Sequence, residues 1–219
     1  MPAPSWGEDS PQDETTIASN VTVVLRAIVQ HGPHRHAPTL GLAHQWHRDL
    51  FAGVHSVPRA SYLGTPRGSK DPDLKNYEVV LGHRATARIY ARGVPAAEVA
   101  DQLRIFEAAI HHGVTVLDEE VPPGTVLTER ELFAVVEFAA VAHGEWVRIH
   151  PYANGNGRTA RLWANWVAVR YGLPPFVRIK PRPGGLLYAQ AAQASMADAP
   201  DHSVTASVFL ELLRDGPGG

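Results

Sequence analysis

Apolar and polar positions divide the chain into helical stretches and one short β element. Residues 16–30, TIASNVTVVLRAIVQ, are rich in Ile and Val and predict a first helix, which HGPHRHAPT breaks. LGLAHQWHRDLFAGV sets Leu42, Trp46 and Leu50 at helical spacing, with Gly53 as a stop. Residues 58–73 have the Pro, Gly and Ser content of an irregular loop. NYEVVLGHRATARIYA then reads as two short strands around Gly82-His83, a β-hairpin. VPAAEVADQLRIFEAAIHHG is an amphipathic helix with Pro95 in its first turn and its end at Gly113. Thr128 and Glu131 form a capping box that opens a long, largely apolar helix. A further helix is expected over Arg158 to Tyr171, stopped by Gly172 with Pro174-Pro175 beyond, and one or two helices complete the chain. The expected fold class is all-α, a mainly helical bundle with a small β-hairpin.

Composition narrows the function classes. At 219 residues the chain fits one domain with a proper core. Residues 1–14 hold four carboxylates and read as a disordered acidic tail, 15–215 as the domain, and 216–219 as a flexible tail. That acidic start is wrong for a signal peptide, and no apolar run approaches the roughly 20 residues of a membrane span, so a cytoplasmic protein with no membrane partner is expected. The absence of cysteine excludes disulfides, zinc-thiolate sites and thiol nucleophiles. A net charge of −2 gives no global field for nucleic acid.

The chemistry gathers in RIHPYANGNGRTARLW, residues 148–163. Gly155-Asn156-Gly157 lets successive backbone N–H groups converge, and the helix start behind it adds partial positive charge. Arg158 and Arg161, three apart, share one helix face, where each guanidinium can grip phosphate oxygens. From Trp146 to Ala197 there are seven Arg and Lys and no Asp or Glu, which suits a polyanionic guest. His150 could serve that guest as a general base near neutral pH. Taken singly, each feature has a plainer reading: a common turn, a histidine capping a helix, solvated arginines. Elsewhere, His31, His34 and His36 could approach a metal, and Trp163 and Trp166 could be core or a stacking platform.

HPYANGNGRTAR resembles the signature of the Fic (filamentation induced by cAMP) domains, His-Pro-Phe-x-(Asp/Glu)-Gly-Asn-Gly-Arg-x-x-Arg, and its flanks resemble the family from about residue 40 to 213. The resemblance implies an α-helical Fic-like fold and transfer of AMP from ATP, the substrate, to a hydroxyl of a protein Ser, Thr or Tyr. It implies that His150 deprotonates that hydroxyl and that Tyr152 anchors the loop. Gly155, Asn156, Gly157 and Arg158 would hold the phosphates, and Arg161 the terminal one, with Tyr188 facing the adenine. Residues 75–92 would be the flap that docks the protein target. Gly157 stands where lysine marks relatives acting as kinases, so nucleotidyl transfer is implied. Asn154 replaces the acid that binds Mg²⁺ in the family. An amide brings no charge, so Mg²⁺ would be bound weakly unless an acid arrives from elsewhere, Asp118, Glu119 and Glu120 being the dense cluster. Asn154 thereby leaves two alternatives open: a Fic fold repurposed for a different phosphate-containing donor or a small-molecule acceptor, and a non-catalytic nucleotide-binding module. TTIASNVT, residues 15–22, resembles a worn copy of the family's inhibitory helix with Ala18 in place of its Glu, which leaves a separate inhibitor chain as a partner to consider.

Overall fold

The computed structural model describes residues 6, 10–83 and 88–216, without the side chains of 82, 83 and 88–90. Its α-helices are α1 (Pro11–His31), α2 (Leu40–Leu50), α3 (Val99–Glu120), α4 (Glu129–Ile149), α5 (Asn156–Arg170), α6 (Leu186–Ser195) and α7 (Ser203–Asp215), with strands β1 (Val80–His83) and β2 (Arg88–Arg92) between α2 and α3. Among the described residues no helix is long and apolar enough to cross a membrane.

Helix α5 is the centre of the bundle. All its residues from Thr159 to Arg170 are buried, so it presents no solvent face and every polar group on it needs a protein partner. Asn165 donates to the Val177 carbonyl at 2.7 Å and accepts from the Phe176 and Val177 N–H groups, while Arg170 pairs with Asp118 and donates to the His36 carbonyl. Trp163 sits among Trp46, Phe106, Trp146 and Trp166, with ring centroids 5.1–5.9 Å apart. Truncating a residue so enclosed costs about 3–5 kcal/mol. It belongs to the core and is no stacking platform.

The capping box is present: the Thr128 hydroxyl accepts from the Glu131 N–H, and the Glu131 carboxylate accepts from the Thr128 N–H at 2.7 Å. Helix α5 ends where expected, with Gly172 at φ 84° and the Leu173 N–H on the Ala168 carbonyl.

Three expectations are corrected. Helix α1 starts at Pro11, inside the stretch expected to be disordered. Ser10 caps it by accepting from the Asp13 N–H, and the buried Asp13 carboxylate accepts from the His55 and Ser56 N–H groups. Trp6 is also buried, against Phe51 and His47. The acidic residues thus include a specific acceptor, which composition does not distinguish from solvated charge. Gly113 does not end α3, which runs on to Glu120. A Cβ at Gly113 would lie 2.2 Å from the Phe138 ring, so the glycine serves the close approach of α3 to α4. Gly82 and His83 lie in β1 and not at the hairpin's turn. The strands pair antiparallel from Val80↔Arg92 to His83↔Arg88, with an irregularity at Leu81/Gly82, and residues 84–87 lie outside the described residues. The flexible tail expected at 216–219 lies almost wholly outside them too.

Candidate active site

Helix α4 ends in His150, whose φ of 53° turns the chain out of the helix in a left-handed conformation uncommon for a residue with a side chain. The imidazole Nδ1 lies 2.9 Å from the Val147 carbonyl. A carbonyl only accepts, so Nδ1 carries the proton and Nε2 is the lone-pair nitrogen. Burial pushes the His150 pKa down to about 4, aided by the nearby Arg67 charge and opposed by the Val147 bond. At neutral pH it is an unprotonated base.

The loop after it is held by its own residues and by α2. The Tyr152 ring is fully buried, and its hydroxyl shares a 2.7 Å hydrogen bond with His44. The Asn156 side chain clamps the Tyr152 backbone, accepting from its N–H at 2.7 Å and donating to its carbonyl at 2.8 Å. His47 accepts at Nδ1 from the Gly64 N–H and donates from Nε2 to the Asn154 carbonyl at 3.0 Å, a neutral tautomer that burial enforces by lowering its pKa to about 3. Gly155 turns at φ 80° and packs so closely that a Cβ would lie 2.5 Å from the Phe51 ring, a position only glycine fits. Helix α5 starts there with no side-chain cap, so its first-turn N–H groups face the cleft with the helix's partial positive charge.

That cleft has a volume of about 390 Å³ and brings together His150, residues 153–158, Arg161, Arg182, Val79–Leu81 and Trp6. Among the described residues, three arginines line it and no carboxylate does. Arg158 lies over the Phe51 ring at 5.3 Å. Arg161 is buried and held: Nε and Nη2 donate to the Ile179 carbonyl, and Nη1 donates to the Tyr188 hydroxyl at 3.2 Å. Three of its five N–H groups are thus used, leaving at most two for a ligand. The Tyr188 hydroxyl also lies 2.9 Å from His143, and its ring lines a separate cavity of about 230 Å³ rather than the cleft.

The sequence-expected residues therefore divide. His150, Gly155, Gly157, Arg158 and Arg161 meet at one cleft. Asn156 lines it too, but its side chain is a clamp on Tyr152, leaving only its backbone for a ligand. Sequence reading missed the supporting histidines His44 and His47, although their spacing of three on one helix face was a signal. It also missed Arg182, Trp6 and the buried Arg67. Among the described residues no group of three or more His, Asp or Glu could hold a metal, His31, His34 and His36 included.

Asn154 decides whether the residues fit the Mg²⁺ that the family's acid holds. Its Oδ1 accepts from the Gly155 N–H at 2.6 Å, and its Nδ2 donates to the Trp6 carbonyl at 3.3 Å. Asp118 is engaged elsewhere by Arg170, Arg35 and Tyr171. Among the described residues, an engaged neutral amide beside three arginines is a poor donor set for a hard cation, so these residues do not fit a protein-held Mg²⁺.

A glycine-turned helix start, two motif arginines and the histidine of the preceding helix end thus line one cleft. The Fic/DOC family model matches residues 39–168, more than half of the chain, and the chain belongs to that family. It is 49% identical over 47 residues to a protein adenylyltransferase Fic of Nematostella vectensis, 22% of this chain and 11% of that protein. Over 46 residues it is 48% identical to a uridine 5'-monophosphate transferase of Xanthomonas campestris pv. campestris (strain 8004), 21% of this chain and 9% of that protein. These matches span about a tenth of the relatives' length. Among solved structures, a Fic domain containing signaling protein of Bacteroides thetaiotaomicron VPI-5482 superimposes with a TM-score of 0.60 at 20% identity, over 95% of this chain and 69% of that one. Residues 134–508 of Fic-1 from C. elegans give 0.56 at 19%, over 94% and 52%. These likenesses show the fold.

Proposed function

We propose that this chain is a nucleotidyltransferase that moves AMP from ATP onto a hydroxyl of a protein Ser, Thr or Tyr. The observation that carries this reading is the tautomer of His150, which leaves Nε2 unprotonated on a residue that lines the same cleft as the α5 N-terminus and Arg158. The phosphates lie against the first-turn N–H groups of α5, with Arg158 and the remaining N–H groups of Arg161 alongside. Nε2 takes the proton of the acceptor hydroxyl as its oxygen attacks the α-phosphorus, the bond to the β-phosphate oxygen breaks, and pyrophosphate leaves. Val79, Val80 and Leu81 line the cleft, so β1 is the edge on which the target segment would pair as an added strand. Tyr188, one hydrogen bond from the cleft through Arg161, lines the neighbouring cavity that is available to the adenine.

A second reading changes the donor. The relative named a uridine 5'-monophosphate transferase supports a different base on the same phosphate cradle. Incubation of candidate targets with ATP or UTP labelled at the α- or γ-phosphate, beside His150→Ala, tests both. Transfer of α-label from ATP that His150→Ala abolishes supports AMP transfer, and α-label from UTP alone supports the second reading. Transfer of γ-label, or equal transfer by His150→Ala, contradicts both.

A further inference from the structure

We propose that Arg67 is a positioning residue that holds both legs of the β1–β2 hairpin in register with the base His150. Its side chain is fully buried, and each bond it makes to an uncharged partner ends on a backbone carbonyl. Nε donates to His150 at 2.8 Å, and Nη2 to Ile149 at 3.1 Å. The Arg67 backbone N–H donates to Pro151 at 2.7 Å, so one residue engages three consecutive carbonyls where α4 ends. A helix end leaves such carbonyls without partners, and here they flank a histidine in a left-handed conformation that needs external support.

The same guanidinium reaches the hairpin. Nη1 donates to the Tyr77 carbonyl at 2.9 Å, three residues before β1, and Nη2 to the Val94 carbonyl at 2.8 Å, two residues after β2. Between those legs the Gly93 N–H donates to the Val79 carbonyl at 3.1 Å. A Cβ on Gly93 would lie 2.8 Å from the His150 Cβ and 3.0 Å from Arg67 Nη2, so the returning leg rests directly on the base residue. Glu78 joins both ends of this arrangement, with one carboxylate oxygen 3.6 Å from Arg67 Nη1 and the other accepting from the Ala96 N–H.

The contacts divide by direction: the guanidinium's planar fork sends Nε and one Nη2 bond to α4, and Nη1 and the other Nη2 bond to the hairpin. Lysine presents three donors from a single nitrogen and cannot span them. The role assigned to Arg67 rests on the transfer reading above: an acceptor strand laid on β1 is set against Nε2 only while this residue holds the two together. Arg67 is not among the residues lining the cleft, so donor binding does not depend on it directly.

The test compares Arg67→Lys and Gly93→Ala with the wild type, each first shown folded by its thermal transition. Gly93→Ala pushes the hairpin leg off His150 and the edge of the guanidinium while leaving the arginine's own donors in place, so a second route leads to the same displacement. ATP affinity is expected to stay within about threefold while label transfer to a protein target falls by about 100-fold, the loss expected when reacting groups are misplaced by about 1 Å. Nitrogen NMR gives a readout independent of turnover. His150 is expected to show the single Nδ1–H tautomer in the wild type and a mixture in Arg67→Lys, with faster exchange of the Gly93 amide. ATP binding and transfer lost in parallel, or an unchanged His150 tautomer and Gly93 exchange in Arg67→Lys, would overturn the assignment. If the wild type transfers no nucleotide, the functional reading fails by itself, and the NMR comparison still upholds or overturns the structural role of Arg67.

Discussion

The side-chain amide of Asn154 donates to the backbone carbonyl of Trp6, 148 residues away in the sequence, at 3.3 Å. An amide suits this contact and the family's acid does not, because a carboxylate would set its oxygens against the carbonyl oxygen. The residue that departs from the family signature therefore ties the N-terminal segment to the cleft, where Trp6 forms part of the wall. Asn154→Asp is expected to remove this tie, weaken folding by about 1 kcal/mol in urea, and raise proteolysis around Trp6. The same variant should gain Mn²⁺ binding by calorimetry, since it supplies the missing charge. Unchanged proteolysis would show that the contact does not hold the segment.

His47 is the buried link between the loop after α2 and the motif loop. His47→Leu would leave the Gly64 N–H and the Asn154 carbonyl without partners, at about 1–3 kcal/mol for each buried group. Urea unfolding should show a loss of about 2–6 kcal/mol, with weaker ATP binding. A loss below 1 kcal/mol would mean that water replaces both bonds.

The His150 pKa, pushed down by burial to about 4, sets the pH profile. A base acts when unprotonated, so the transfer rate should rise as pH rises through about 4 and be flat by about pH 6. An ordinary histidine would still be gaining activity between pH 6 and 7.5. The kcat/KM of transfer, which reports the free enzyme's pKa, measured from pH 4 to 8, distinguishes the two.

The candidate site's motif residues were legible in sequence because they are contiguous: a helix end, glycines that admit a turn and a helix start all fall within residues 150–161. Its supports were not, because Trp6, His47 and Arg67 act across 80 or more residues and each resembles an ordinary loop or helix residue in isolation. Tyr188 is informative in the same way. Its hydroxyl carries Arg161, a role that no spacing rule announces.

Gly113 illustrates the matching error in the fold, since a glycine for close helix approach and one for helix termination look alike along the chain. Gly113→Ala gains about 1 kcal/mol of helix propensity, while displacing the Phe138 ring costs about 1–3 kcal/mol. Thermal unfolding should show net destabilisation in the wild-type background and stabilisation in a Phe138→Ala background. Stabilisation in both would mean that the ring yields freely.

The cleft's role as a phosphate cradle is tested most directly by calorimetric titration with ATP and adenosine, in the wild type and in Arg158→Gln. ATP is expected to bind the wild type at least about tenfold more tightly than adenosine, and most of that advantage should vanish in Arg158→Gln, as losing a charge-assisted contact worth about 1.5–3 kcal/mol requires. Adenosine binding as tightly as ATP, or an ATP affinity indifferent to Arg158, would contradict the assignment of this cleft to phosphate.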